Sequence, residues 1–166
     1  MTHWSFLDED GPKAERLCGK LLLIADNDGA EPDSAKGKRH AKLTATLKEN
    51  FCLLPVREIE NLLTPSSLRD VLIAYGESPE NLQIPNQEDY ANRLLGEFID
   101  GLMFISKKSR NASYASDSGT VNGKPKFCEN ALRTMTTFEG LSEAAKELSI
   151  RVFKFINDQN QRSHGR

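Results

Sequence analysis

The sequence predicts an α/β fold: a parallel βαβ unit at the front of the chain, followed by a helical C-terminal region. Three observations carry that prediction. Two short apolar runs, "LLLIA" (Leu21–Ala25) and "FCLLPV" (Phe51–Val56), read as strands, the first apolar on both faces as in parallel sheets. The segment between them, "KGKRHAKLTATLKEN", carries Ala41, Leu43 and Leu47 among basic residues and reads as a helix. From Thr64 onward the remaining patterns are helical. Strand, helix and strand in that order make a βαβ unit with an expected right-handed crossover.

Taken in order, "GPKAERLCG" predicts a short helix starting near Pro12. "KLLLIAD" is the first strand, and residues 27–37 (NDGAEPDSAKG) form a loop rich in Gly, Pro, Asp and Ser. After the second strand, "REIENLL" places Ile59, Leu62 and Leu63 at helical spacing. "TPSSLRDVLIAYG" follows a Thr64 cap with Pro65, then sets Leu68, Val71, Leu72 and Tyr75 on one face. "NQEDYANRLLGEFIDGLMF" predicts a further helix capped at Asn86, and residues 106–126 a long polar loop. Two last helices are expected around Phe127–Phe138 and Leu141–Asn157. The second carries a core stripe of Leu141, Ala145, Leu148, Val152, Phe155 and Ile156. The organisation expected is an α/β unit over 1–64, a helical portion over 65–158 and a flexible tail over 159–166.

Composition narrows the function classes. A chain of 166 residues is about one domain. With 22 Lys+Arg against 24 Asp+Glu, a nucleic-acid partner cannot be argued from global charge, only from local patches. Cys18, Cys52 and Cys128 are an odd number at irregular spacing, which suits reduced thiols and no zinc cluster. The longest apolar run falls far short of the roughly 18 residues of a membrane span. The N-terminus lacks a basic stretch followed by an apolar one, so a soluble cytoplasmic protein is expected.

The chemistry concentrates at the strand ends. In open α/β sheets, ligands bind beyond the carboxyl ends of the strands. Asp26 and Asp28 follow the first strand, and Glu58 and Glu60 lie just beyond the second. Like charges held close raise one another's pKa. A hard divalent cation relieves the repulsion, because Mg²⁺ takes oxygen ligands and substrate phosphates. Two such ions about 3.5–4 Å apart suit phosphodiester hydrolysis. A plain structural reading stands beside this one: aspartates in such loops serve as turn and cap residues, and glutamates favour helix N-termini.

"LLLIADNDG" followed by "LLPVREIENLLTP" resembles the Toprim domain of OLD-family (overcoming lysogenization defect) ATP-dependent endonucleases. The resemblance is specific over about residues 20–65 and extends over 86–158 only as a helical pattern. It implies a partial Toprim-like parallel sheet and a metal-dependent DNA nuclease using Mg²⁺ or Mn²⁺. Asp26 and Asp28 match the metal-binding DxD, and Glu58 and Glu60 match the acidic residues of the second motif, Glu58 also with a catalytic part. "NGKPKFCENAL" is similar to the family's late lysine stretch, which maps the catalytic lysine onto Lys124 first and Lys126 second. A lysine there would stabilise charge on the attacked phosphate.

Toprim domains open with a strand ending in Glu, and no such segment stands before Asp26. No GxxxxGK[ST] loop occurs either, so no nucleotide site is expected in this chain. The expectation is therefore the C-terminal portion of a larger or split nuclease, a fragment inactive or incomplete alone. It would work with an ABC-type ATPase segment or chain, in a role such as phage defence, and with a homodimer left open.

Basic residues supply candidate DNA contacts: Lys36, Lys38 and Arg39 after the DxD loop, and Lys107, Lys108, Arg110 and Lys126 in or beside the long polar loop. Lys42 belongs to the first cluster, and Tyr114 is a candidate for base stacking. Solvated surface is the alternative for both clusters. Two other functions stay open. One is a non-catalytic module that binds DNA or a partner ATPase. The other is a haloacid-dehalogenase-like phosphatase, whose hhhhDxDG motif "IADNDG" resembles, although Ala30 follows the glycine and a late acidic pair is missing. An EF-hand fails because its glycine belongs at the sixth loop position.

Overall fold

The computed structural model describes residues 21–102 and 113–164. The helix expected near Pro12, Cys18 and the basic residues Lys107, Lys108 and Arg110 lie outside them. The described part is mixed α/β. Strand β1 (Leu23–Ala25) leads through helix α1 (Ala35–Leu47) and a 3₁₀ turn (Lys48–Asn50) into β2 (Phe51–Leu53). The strands pair parallel, with Leu23 opposite Phe51 and Ala25 opposite Leu53. The predicted βαβ unit is present, in shorter form. Each strand has three residues, and Ile24 is 38% exposed where burial on both faces was expected. A two-stranded sheet covers only one face with its crossover helix.

Helix α1 starts at Ser34, whose hydroxyl accepts a hydrogen bond from the Gly37 N–H at 3.0 Å. Its buried stripe is His40, Leu43 and Leu47, which pack on Phe51 and β1. Ala41, expected on that stripe, is exposed, and His40 takes the core position.

The "REIENLL" helix contracts to a single 3₁₀ turn, Ile59–Leu62, with Ile59 48% exposed. The reason is local. Glu58 and Asn61 close a reciprocal capping box around the turn, and Thr64, standing before Pro65, is extended. Helix α2 (Pro65–Ala74) then begins as predicted, with the Thr64 hydroxyl accepting from the Ser67 N–H at 3.2 Å. Its Leu68, Val71 and Leu72 are fully buried.

The helix expected from Asn86 is broken in two. A 3₁₀ turn (Gln87–Asp89) precedes α3 (Leu95–Leu102). Between them the carbonyls of Tyr90 and Arg93 accept hydrogen bonds from the Asn61 side-chain amide, at 2.7 and 3.1 Å. A long-range partner thus takes acceptors that a continuous helix would use within its own ladder.

Residues 113–123 turn back on themselves through an antiparallel bridge between Ala115 and Val121. Helix α4 (Lys124–Thr134) follows, beginning three residues before the predicted Phe127 and ending four before Phe138. It packs on α2, and the main core gathers Leu68, Val71, Tyr90, Leu95, Ile99 and Phe127. The last helix, α5 (Glu143–His164), overruns the predicted end at Asn157 and is helical through most of the expected tail. Its Ala145 and Leu148 pack beside Leu54, Val56 and Leu62, but Ile156 is 48% exposed. The predicted stripe therefore serves as core only in the first half of α5. Arg151 ties that helix to the sheet, donating to the carbonyls of Glu49 at 2.7 Å and Phe51 at 2.6 Å. Among the described residues no helix is long and apolar enough to cross a membrane.

Candidate functional site

The end of β1 and the turn after β2 are joined by one side chain. The Asp26 carboxylate accepts a hydrogen bond from the Ile59 N–H at 3.0 Å. The chain then reverses through a tight turn, in which the Ala30 N–H bonds to the Asn27 carbonyl at 3.1 Å. Its two central residues, Asp28 and Gly29, both have positive φ, at 54° and 64°. That is the geometry of a type I′ turn, for which Asp-Gly is a favoured pair. The Asp28 N–H also donates to the Arg57 carbonyl at 2.7 Å, a second bond between the strand ends. Asp28 thus has a structural role in the turn, and its carboxylate pairs with the Lys36 ammonium.

Glu58 and Glu60 meet a different cation. Both are buried, and both meet the Lys124 ammonium on the first turn of α4. Lys124 Nζ lies 3.3 Å from Glu58 Oε2 and 3.4 Å from Glu60 Oε1. The Glu58 contact is an ion pair without hydrogen-bond alignment, so this oxygen is buried with no donor aimed at it. Burial alone would lower the Lys124 pKa, but attraction by Glu60 and then Glu58 outweighs it and holds the ammonium above the usual lysine value. Two carboxylates against one ammonium leave this pocket one charge short of neutral.

The backbone therefore brings the two acidic pairs to one end of the sheet, where Asp28 pairs with Lys36, Glu58 and Glu60 pair with Lys124, and Asp26 bonds to the Ile59 backbone. Among the described residues no three His, Cys, Asp or Glu side chains gather as a ready metal cage. Asp26 and Asp28 carry hard oxygen donors of the kind Mg²⁺ takes, with Asp26 bonded to the Ile59 N–H and Asp28 paired with Lys36.

Asp26 and Asp28 also rim a cleft of about 440 Å³ between β1 and α1. Its floor is apolar, with Leu23, Ile24 and Leu54, and Lys36, Arg39 and His40 complete the rim. Burial, with Lys36 and Arg39 nearby, lowers the His40 pKa. The basic residues named from sequence thus separate. Lys36 and Arg39 reach the cleft, whereas Lys38 is an exposed residue of α1 outside its lining, like Lys42. Lys126 is exposed on α4, 3.8 Å from Glu129. Tyr114, named as a base-stacking candidate, is instead 7% exposed, set edge-on to Tyr75, with its hydroxyl 3.0 Å from Glu77. It belongs to the core because the Ala115–Val121 bridge folds the loop inward.

Sequence reasoning missed three residues. Asn61 is fully buried; besides binding residues 90 and 93, it accepts from the Glu58 N–H at 3.1 Å, so it holds the whole acidic turn in place. His40 lies among the basic residues of α1 and carries no sequence signal of its own. Arg57 stands in "PVREIEN", and an arginine beside an acidic motif is a usable signal.

Comparisons with protein-family models, curated proteins and solved structures found no match.

Proposed function

We propose that this chain is the C-terminal Toprim portion of an OLD-like, metal-dependent DNA endonuclease, acting with an upstream ATPase and Toprim segment. The observation that carries the reading is the Asp26–Ile59 bond, which locks the DxD turn onto the Glu58–Glu60 turn. Two sequence motifs about 30 residues apart are thereby tied together at the carboxyl ends of parallel strands, where α/β proteins bind ligands. Asp26 and Asp28 would hold Mg²⁺ or Mn²⁺, with Glu58 and Glu60 contributing from the second turn. The bound ion would polarise the phosphodiester and supply a nucleophilic water near neutral pH. Asp26 orients the Glu58–Glu60 turn, and Lys36 balances Asp28. Lys124 would lend positive charge to the attacked phosphate.

A second reading, a non-catalytic module that binds DNA or a partner ATPase, draws support from Lys124. Its ammonium already neutralises much of the glutamate pair, leaving less charge for an ion.

The test is Mg²⁺- or Mn²⁺-dependent nicking of supercoiled plasmid by the chain, alone and with a candidate ATPase partner, with Asp26→Ala as control. Nicking that vanishes in the variant supports the nuclease. Equal nicking by both proteins refutes it for this chain. DNA binding without metal binding or nicking favours the non-catalytic module.

A further inference from the structure

Arg57 carries a guanidinium that no side chain pairs among the described residues. Its backbone is fixed on both sides: the N–H donates to the Ala91 carbonyl at 2.8 Å, and the carbonyl accepts from the Asp28 N–H at 2.7 Å. Its side chain crosses the Asp28–Gly29 turn so closely that a Cβ on Gly29 would lie 2.5 Å from Arg57 Nη1. A guanidinium has five N–H donors. In this one Nε is buried without a hydrogen-bond partner, and no side-chain bond or ion pair to Arg57 occurs among the described residues.

The obvious mate would be Asp28, which already bonds to the Arg57 backbone, yet Asp28 pairs with Lys36. Two further cations lie near. Arg39 is on the cleft rim, and Lys36 is close enough that Arg57 and Arg39 both help to lower its pKa, after burial and against Asp26 and Glu58. Arginine used only for structure binds carbonyls or carboxylates, as Arg151 does with Glu49 and Phe51. Arg57 is instead positioned, partly desolvated and unpaired at the lip of the DxD turn.

We propose that Arg57 is an anion-binding residue whose guanidinium takes a non-bridging phosphate oxygen of a nucleic-acid backbone beside Asp28, with Arg39 reaching an adjacent phosphate. A planar fork suits a phosphate bidentately, where a lysine would act only as a point charge. Gly29 leaves the fork room. The assignment rests on the nuclease reading for the identity of its ligand, but it concerns binding and does not need turnover.

The experiment measures binding of the full chain to a short double-stranded DNA, by fluorescence anisotropy in Ca²⁺ buffer over a salt series. Arg57→Gln and Arg57→Lys are compared with wild type and with Arg69→Gln, a half-buried arginine bonded to the Pro79 carbonyl. Arg57→Gln is expected to bind about tenfold more weakly, with a log–log salt slope reduced by about one. Arg57→Lys should keep the slope and lose a few-fold in affinity, and Arg69→Gln should match wild type. Mn²⁺ binding followed by electron paramagnetic resonance should be the same in wild type and Arg57→Gln. Wild-type affinity and slope in Arg57→Gln, or in Arg57→Lys should the glutamine variant not fold, overturn the role of Arg57 while leaving the nuclease reading intact. Absence of both DNA and Mn²⁺ binding in wild type overturns the two together. Arg57-dependent binding of poly-glutamate in place of DNA overturns the nucleic-acid assignment.

Discussion

Asp26 and Ile59 are 33 positions apart, yet the Asp26 carboxylate accepts the Ile59 N–H at 3.0 Å. That bond fixes how the end of β1 meets the acidic turn after β2. Asp26→Asn keeps an acceptor oxygen and should fold with stability within about 0.5 kcal/mol of wild type, while losing metal-dependent nicking. Asp26→Ala should lose nicking and also about 1–2 kcal/mol, because the Ile59 N–H is left without its partner. Urea denaturation of the two variants separates the structural from the chemical role. Loss of activity only in the alanine variant would make Asp26 purely structural.

Lys124 is the counter-ion of two buried glutamates. Lys124→Met should destabilise the fold by about 1–3 kcal/mol, below the range for a fully buried pair because the lysine side chain is 38% exposed. The folded-state pKa of Lys124 is raised, so its contribution is complete below the unfolded lysine value of about 10.4 and is lost as pH rises through the higher folded value. Wild type should accordingly lose stability in the alkaline limb above about pH 10, and Lys124→Met should lose less there. Identical alkaline limbs in chemical denaturation would show that the ion pair contributes nothing.

Asn61 gives its side-chain amide to two carbonyls of the 86–94 connection and takes the Glu58 N–H. Asn61→Ala should cost about 2–4 kcal/mol, since several buried groups lose partners at once. Asn61→Asp keeps the Glu58 bond but buries a charge without donors for the Tyr90 and Arg93 carbonyls, so it should rescue little. Hydrogen exchange should show faster opening of residues 86–93 in both variants, and unchanged protection there would contradict this account.

Gly29 combines a positive φ with a close approach to the Arg57 guanidinium. Gly29→Ala should cost about 1–2 kcal/mol from the left-handed backbone alone and displace the arginine as well. Thermal unfolding reads the first effect. The second should appear as weaker DNA binding, which an Arg57→Gln background ought to abolish as a separate loss.

The front of the fold was legible because it rests on local signals. Apolar runs cut by "DNDG", a helical stripe between them, and Thr64–Pro65 as a helix start are all properties of neighbours in sequence. The misreadings share one cause. The Asn86 helix breaks where Asn61 takes its carbonyls, the "REIENLL" helix stops at the extended Leu63–Thr64 step before Pro65, and Tyr114 turns inward on the hairpin of its loop. In each case a neighbouring constraint overrode helical or loop propensity.

For the site, the sequence by itself determined which acids stand at the strand ends, since parallel strands joined by a crossover must bring those ends to one side. Only the tertiary structure decided how their charges are shared: Asp26 with the Ile59 backbone, Asp28 with Lys36, Glu58 and Glu60 with Lys124, and Arg57 with none of them. Residue order sets the direction in which a strand end points. Which cation reaches which carboxylate depends on distances of a few ångström between segments far apart in the chain, and those exist only once the helices have packed.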